Sequence, residues 1–127
     1  MIAVNGCGLD EITICGRTKA FELKNGNIGS YEINPEEHGF KLSALNEIRG
    51  SSIQENAGII KEVLNGRKGA KRDVVLLNAA AALLASDKAK DFKDALELAA
   101  NSIDSGKALD KLKNLINFTN ENARQNN

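Results

Sequence analysis

Asp10 and Glu11 stand side by side just after Gly6-Cys7-Gly8-Leu9, close to the start of the chain. Adjacent carboxylates on a loop are hard oxygen donors. They suit Mg²⁺, which binds through one or two carboxylates and fills the rest of its shell with water and substrate phosphate. A metal–phosphate site also needs a cradle of backbone N–H groups for the phosphate, commonly a glycine-rich loop. No stretch of this sequence has that form. The pair therefore reads as one part of an active site rather than a whole one, although such a pair taken in isolation is most often just solvated charge.

Other reactive residues are sparse. His38 is a candidate general base by residue type, but Glu37-His38-Gly39 after Pro35 has the composition of a surface turn. Asn78 interrupts an apolar run, where its amide can touch a ligand or bond to nearby backbone, as buried polar groups must. Arg67, Lys68, Lys71 and Arg72 form a basic cluster that reads as a solvated loop, with attraction of phosphate as the alternative. Cys7 and Cys15, even joined by His38, fall short of the four ligands of a structural zinc site. They read as two small, partly buried thiols in a reducing compartment.

Composition limits the partners. The 127 residues carry 17 basic and 17 acidic side chains, and this zero net charge argues against a broad footprint for nucleic acid or an anionic membrane. Aromatic content of 4% leaves few platforms for stacking single-stranded bases. Hydrophobic content of 42% and charged content of 27% are those of a globular domain with one core. The longest apolar run, Val74 to Ala85, is broken by Asn78 and is too short to span a bilayer. The first residues lack the basic and long apolar regions of a secretory signal, so a cytoplasmic protein is expected.

The elements that position these residues follow from local pattern. Ile2-Ala3-Val4 is a short strand that delivers the loop carrying Asp10 and Glu11. Glu11 to Cys15 is expected to return as a second short extended piece. Thr18 to Lys24 and Asn27 to Ile33 flank Asn25-Gly26, the residues of a type I′ hairpin turn, which places Leu23 opposite Ile28 and Ala20 opposite Tyr31. Pro35 ends the second hairpin strand, and residues 34–50 read as a loop with one short helical turn.

The rest is helical. A helix over Ile53 to Leu64 puts Ile53, Ala57, Ile60 and Leu64 on one face and stops at Asn65-Gly66. Gly66 to Lys71 reads as a mobile linker. Asp73 is placed to cap a helix over Val74 to Ala85, apolar all round and hence buried. Asp91 is placed to cap a third helix with Phe92, Ala95, Leu96, Ala99 and Ile103 inward. After Ser105-Gly106 a fourth carries Leu109, Leu112, Leu115 and Ile116, and is expected to fray from Thr119. The fold class is α/β: a partial mixed sheet of about four strands with a β-hairpin, followed by about four helices, and part of a larger sheet.

Taken together, Val4-Asn5-Gly6-Cys7-Gly8-Leu9-Asp10-Glu11-Ile12-Thr13 resembles the aspartate–glutamate loop of the anthranilate phosphoribosyltransferases, in glycosyltransferase family 3. Tyr31-Glu32-Ile33-Asn34-Pro35-Glu36-Glu37 resembles that family's segment after the hairpin. Arg72-Asp73-Val74-Val75-Leu76-Leu77-Asn78-Ala79-Ala80-Ala81-Ala82-Leu83 resembles its buried helix, and Ile103-Asp104-Ser105-Gly106-Lys107-Ala108-Leu109 the junction before its last helix. Two positions depart from the pattern: Asn5 stands where histidine is usual, and Arg17 where proline is common.

The resemblance covers nearly the whole chain but only the carboxyl-terminal part of such enzymes. It implies that residues 1–127 are part of a catalytic α/β domain, with metal loop and hairpin in 1–50 and a helical part in 51–127. It implies transfer of a phosphoribosyl group from phosphoribosyl pyrophosphate to anthranilate in tryptophan biosynthesis, with Asp10 and Glu11 holding Mg²⁺. The family's Gly-Thr-Gly-Gly-Asp loop, its Lys-His-Gly-Asn segment and its anthranilate-binding arginine have no counterpart here, so the chain alone is expected to be inactive. The intact enzyme is expected to be a homodimer, and this chain to self-associate through exposed sheet edges and apolar faces. Two further readings are a stand-alone binding module of the same fold, including a nucleic-acid-binding one, and a nucleoside phosphorylase relative.

Overall fold

A computed structural model describes residues 1–125, with side chains through Glu121. Strand β1 (Ile2–Gly6) lies antiparallel to β2 (Thr18–Lys24), with Ile2 opposite Glu22 and Gly6 opposite Thr18. Strand β2 in turn pairs antiparallel with β3 (Asn27–Ile33), so the spatial order is β1-β2-β3. Asn25 and Gly26 form the two-residue turn with φ of 50° and 78°, the left-handed pair that a type I′ hairpin requires. Leu23 faces Ile28 and Ala20 faces Tyr31, the register expected from that turn.

Two details of the expected sheet change. The pairings are antiparallel throughout the described residues, so the parallel part of a mixed sheet is not among them. Glu11 to Cys15 is not a strand, because its backbone groups bond to side chains and to a loop instead of to a neighbouring strand.

Beyond Ile33, the Asn34 side chain accepts from the Glu36 N–H and starts a 3-10 helix over Pro35–His38. Proline suits that first turn because its missing N–H would be unpaired there anyway. Helix α1 (Leu45–Ile48) is a single turn. Helix α2 (Ile53–Leu64) is capped by Ser52, whose hydroxyl accepts from the Glu55 N–H. Its buried side is formed by Val63 with Ile59 beside it, whereas Ile53 and Ile60 face outward. The helix is rolled by one residue from the stripe that periodicity picks out, because its neighbours meet it along one flank of a broad apolar face.

Helix α3 (Ala70–Ala85) starts earlier than expected. Gly69, at φ 125°, is its N-cap residue, so Asp73 lies inside the first turn rather than capping it, and the linker ends at Gly69. Leu76, Leu77 and Ala80 are buried while Val75 is exposed, so α3 is covered on most of its circumference and not all of it. Helix α4 (Phe92–Asp104) is capped by Asp91 and buries Ala95, Ala99 and Ile103, as its pattern dictates. Helix α5 (Lys107–Gln125) follows Gly106. Leu109 and Leu112 are half-buried, but Leu115 and Ile116 are exposed. The helix runs through Thr119 to Gln125, and the Thr119 hydroxyl donates to the Leu115 carbonyl at 2.9 Å.

Two apolar clusters hold these pieces together. Ile12, Ile14, Ala20, Ile33 and Leu77 form one between sheet, loop and α3. Val63, Leu76, Ala99 and Ile103 form the other among the helices. Consecutive residues of α3, Leu76 and Leu77, thus serve different clusters, and this helix is the spine shared by both halves.

Candidate functional site

The carboxylate loop begins where β1 ends. Cys7 (φ 51°) and Gly8 (φ 80°) make a two-residue turn closed by reciprocal 2.9 Å bonds between the Gly6 and Leu9 backbones. Gly6 itself admits no side chain, since an added Cβ would lie 2.7 Å from Thr13 Cγ2 and nearer still to Thr18 Oγ1. The turn puts Asp10 and Glu11 on the surface, and the chain then dives: Ile12, Thr13 and Ile14 are fully buried.

That dive leaves backbone groups that must be bonded. Asn78 of α3 satisfies both from Ile12, its Oδ1 accepting from the Ile12 N–H at 3.0 Å and its Nδ2 donating to the Ile12 carbonyl at 2.7 Å. The same Nδ2 donates to the Val74 carbonyl at 2.9 Å. The Thr13 N–H donates to Thr18 Oγ1 at 3.2 Å, the Cys15 N–H to Thr13 Oγ1 at 3.1 Å, and the Ser43 N–H to the Ile14 carbonyl at 3.0 Å. The segment under the two carboxylates is therefore pinned along its length, which fixes where they project.

Asp10 and Glu11 border a cavity of about 400 Å³ whose apolar wall is Leu9, Leu45, Ile48 and Val74. Among the described residues Arg49 is the cation that lines it. Among the described residues no three His, Cys, Asp or Glu side chains gather into a metal-holding group. Two exposed, adjacent carboxylates on a fixed loop fit a Mg²⁺ ion shared with water and phosphate, and do not fit a cation caged by protein alone.

The other sequence candidates separate. His38 ends the 3-10 helix half-buried with its ring 4.5 Å from that of Phe92, so it packs rather than facing solvent as a surface turn. Cys7 is exposed and Cys15 half-buried, both as free thiols. Asn78 bonds to backbone, the role its place in an apolar run suggests. Arg72 departs most from expectation: instead of lying in a solvated loop it is 3% exposed and donates through Nη2 to Asp104 at 2.9 Å. That bond and Lys68, at 3.6 Å, hold the Asp104 carboxyl below its usual pKa. Burial pushes the Asp73 carboxyl up, against the opposing pull of Arg72 and Lys68. Nothing local in sequence signals Arg72, whose partner lies 32 residues away; Arg49 likewise comes to the cavity only through the turn of α1.

The family model described as glycosyl transferase family, a/b domain, matches residues 1–109. The anthranilate phosphoribosyltransferase of Desulfatibacillum aliphaticivorans is 46% identical over 91% of this chain and 34% of its own length. The crystal structure of anthranilate phosphoribosyltransferase from Thermus thermophilus superposes with a TM-score of 0.84 at 32% identity, covering 92% of this chain and 35% of that one. The Saccharomyces cerevisiae enzyme in complex with PRPP and Mg gives 0.78 at 28% identity, over 88% of this chain and 33% of that one. The chain spans about a third of the length of these relatives.

Proposed function

The chain belongs to the glycosyl transferase family, within its α/β domain, and from that premise we propose that it is the carboxyl-terminal part of an anthranilate phosphoribosyltransferase. In the intact enzyme a phosphoribosyl group passes from phosphoribosyl pyrophosphate to the anthranilate nitrogen, a step of tryptophan biosynthesis. The observation that carries this reading is the Asp10–Glu11 loop, pinned by Asn78 beside an open cavity. Asp10 and Glu11 hold Mg²⁺ through their carboxylate oxygens. Bound there, Mg²⁺ would supply neutralising charge for the pyrophosphate leaving group.

The residues around the pair have narrower tasks. The Asn78–Ile12 bonds keep both carboxylates from turning inward, and the buried run Ile12-Thr13-Ile14 keeps the loop from sliding. Leu45, Ile48 and Val74 keep water from one side of the cavity. The family's pyrophosphate loop and its anthranilate-binding arginine have no counterpart in this sequence, so the isolated chain is inactive. The intact enzyme is a homodimer. The chain by itself self-associates, with Phe21, Leu23 and Ile28 supplying an exposed apolar patch on the outer sheet face.

Purified chain mixed with phosphoribosyl pyrophosphate, anthranilate and Mg²⁺ should yield no phosphoribosyl anthranilate. The same chain fused to the missing two thirds of a relative should yield it. Turnover by the chain alone, or an inert but folded fusion, would overturn the assignment.

A further inference from the structure

A second cavity, of about 610 Å³, lies apart from the one beside Asp10 and Glu11. It lies between α2 and the start of α3 and belongs to no step above. We propose that this cleft binds a small oxyanion, phosphate or carboxylate, between the N-terminus of α3 and the buried guanidinium of Arg72.

Two observations carry it, and a third limits the ligand. The first is the helix end. Gly69 has no side chain to cap α3, whose 16 residues sum their peptide dipoles toward that end. The Arg72 and Asp73 N–H groups turn back to the Gly69 carbonyl, while those of Ala70 and Lys71 stay available at the cleft. The second is Arg72. Its side chain is 3% exposed and lines the cleft, yet only Nη2 meets Asp104; Nη1 is buried with no acceptor. A buried cationic N–H without a partner is costly, and an oxyanion is the acceptor that removes the cost.

The third is charge. Lys68 and Lys71 stand at the mouth beside Arg67. Glu62 occupies Arg67, whereas Lys68 reaches Asp104 only at 3.6 Å and Lys71 donates only to the Arg49 carbonyl. Glu47 and Glu55 line the cleft with Glu62 and subtract from this positive charge. With Asp104, the partner of Arg72 and Lys68, four cations meet four carboxylates, so the cleft carries no net charge. That balance opposes a polyanion such as nucleic acid and leaves a small oxyanion to the helix N–H groups and the unpaired Arg72 Nη1. The phosphate attraction of the basic cluster thus acquires a place, and it is independent of the metal loop.

The test is amide and guanidinium NMR of the full chain, titrated at fixed ionic strength with inorganic phosphate and, separately, with acetate. Saturable shifts at the Ala70 and Lys71 amides and the Arg72 guanidinium are expected. Saturation by phosphate assigns the ligand to the phosphate class, and saturation by acetate alone assigns it to carboxylates. Arg72→Lys, which loses the planar fork and with it the Nη1 donor, should weaken binding roughly tenfold. The double change Lys68→Ala with Lys71→Ala reads the same site from its mouth, outside both apolar clusters, and should weaken it severalfold. Shifts that stay linear with both anions, or affinity unchanged in the double variant, would overturn the site.

Discussion

Asn78 bonds both backbone groups of Ile12, a residue 66 positions away, as a paired strand would. One side chain thereby replaces a rung of sheet under the carboxylate loop. Asn78→Ala leaves a buried N–H and a buried carbonyl without partners, at a cost of about 1–3 kcal/mol for each. Urea unfolding should show a loss of about 2–6 kcal/mol. Asn78→Asp should do little better, because a carboxylate accepts from the N–H but cannot donate to the Ile12 carbonyl. An unchanged midpoint in the alanine variant would deny the loop its brace.

The turn before the carboxylates rests on Gly6. In Gly6→Ala the new methyl group must displace Thr18 Oγ1 and Thr13 Cγ2, both belonging to fully buried residues that hold the loop backbone. Overpacking of this kind costs about 1–3 kcal/mol. Amide hydrogen exchange should accelerate at Thr13 and Cys15 before it does in α4. Exchange that rises evenly across the chain would mean that Gly6 has only a general effect on stability.

What could be read from sequence was local. Asn25-Gly26 fixes the hairpin because two left-handed residues fit only that turn, and alternation then sets Leu23 against Ile28. Ser52 and Asp91 mark helix starts because their side chains bond within the next turn. Asp73 misleads for the same reason: it looks like a cap, yet Gly69, with no side chain to signal it, begins the helix. Arg72 reads as solvated until Asp104 is brought to it by packing of α3 on α4. Within the site, the carboxylates and Asn78 were legible by residue type, but Arg49 and the cavity came only with the fold.

Replacement of Asp10 by Asn or Glu11 by Gln removes a charged oxygen donor while leaving the shape of the loop. In an intact enzyme built on this chain, each should lower turnover at least tenfold and raise the Mg²⁺ concentration needed for half-maximal rate. Thermal unfolding of the chain alone should be unaffected, since both side chains are exposed. Normal Mg²⁺ dependence in both variants would remove the pair from the metal site.

Asp104 and Asp73 should give opposite pH signatures. Asp104 has a folded pKa below the ordinary 3.8, lowered first by its hydrogen bond from Arg72. Its contribution to stability is therefore present above 3.8 and lost as pH falls through the lower folded value. Asp73 is shifted upward by burial, so the stability it contributes is present below 3.8 and lost as pH rises through the higher folded value. Asp104→Asn should lower the urea midpoint at neutral pH, where it strips the buried Arg72 of its charge partner, and the deficit should shrink as acid protonates the wild-type carboxyl. Asp73→Asn should raise the neutral midpoint slightly, with the gain vanishing below pH 3.8. Equal midpoints for Asp104→Asn and wild type at neutral pH would show that Arg72 does not depend on this carboxylate, and would place its charge balance elsewhere in the α2–α3 cleft.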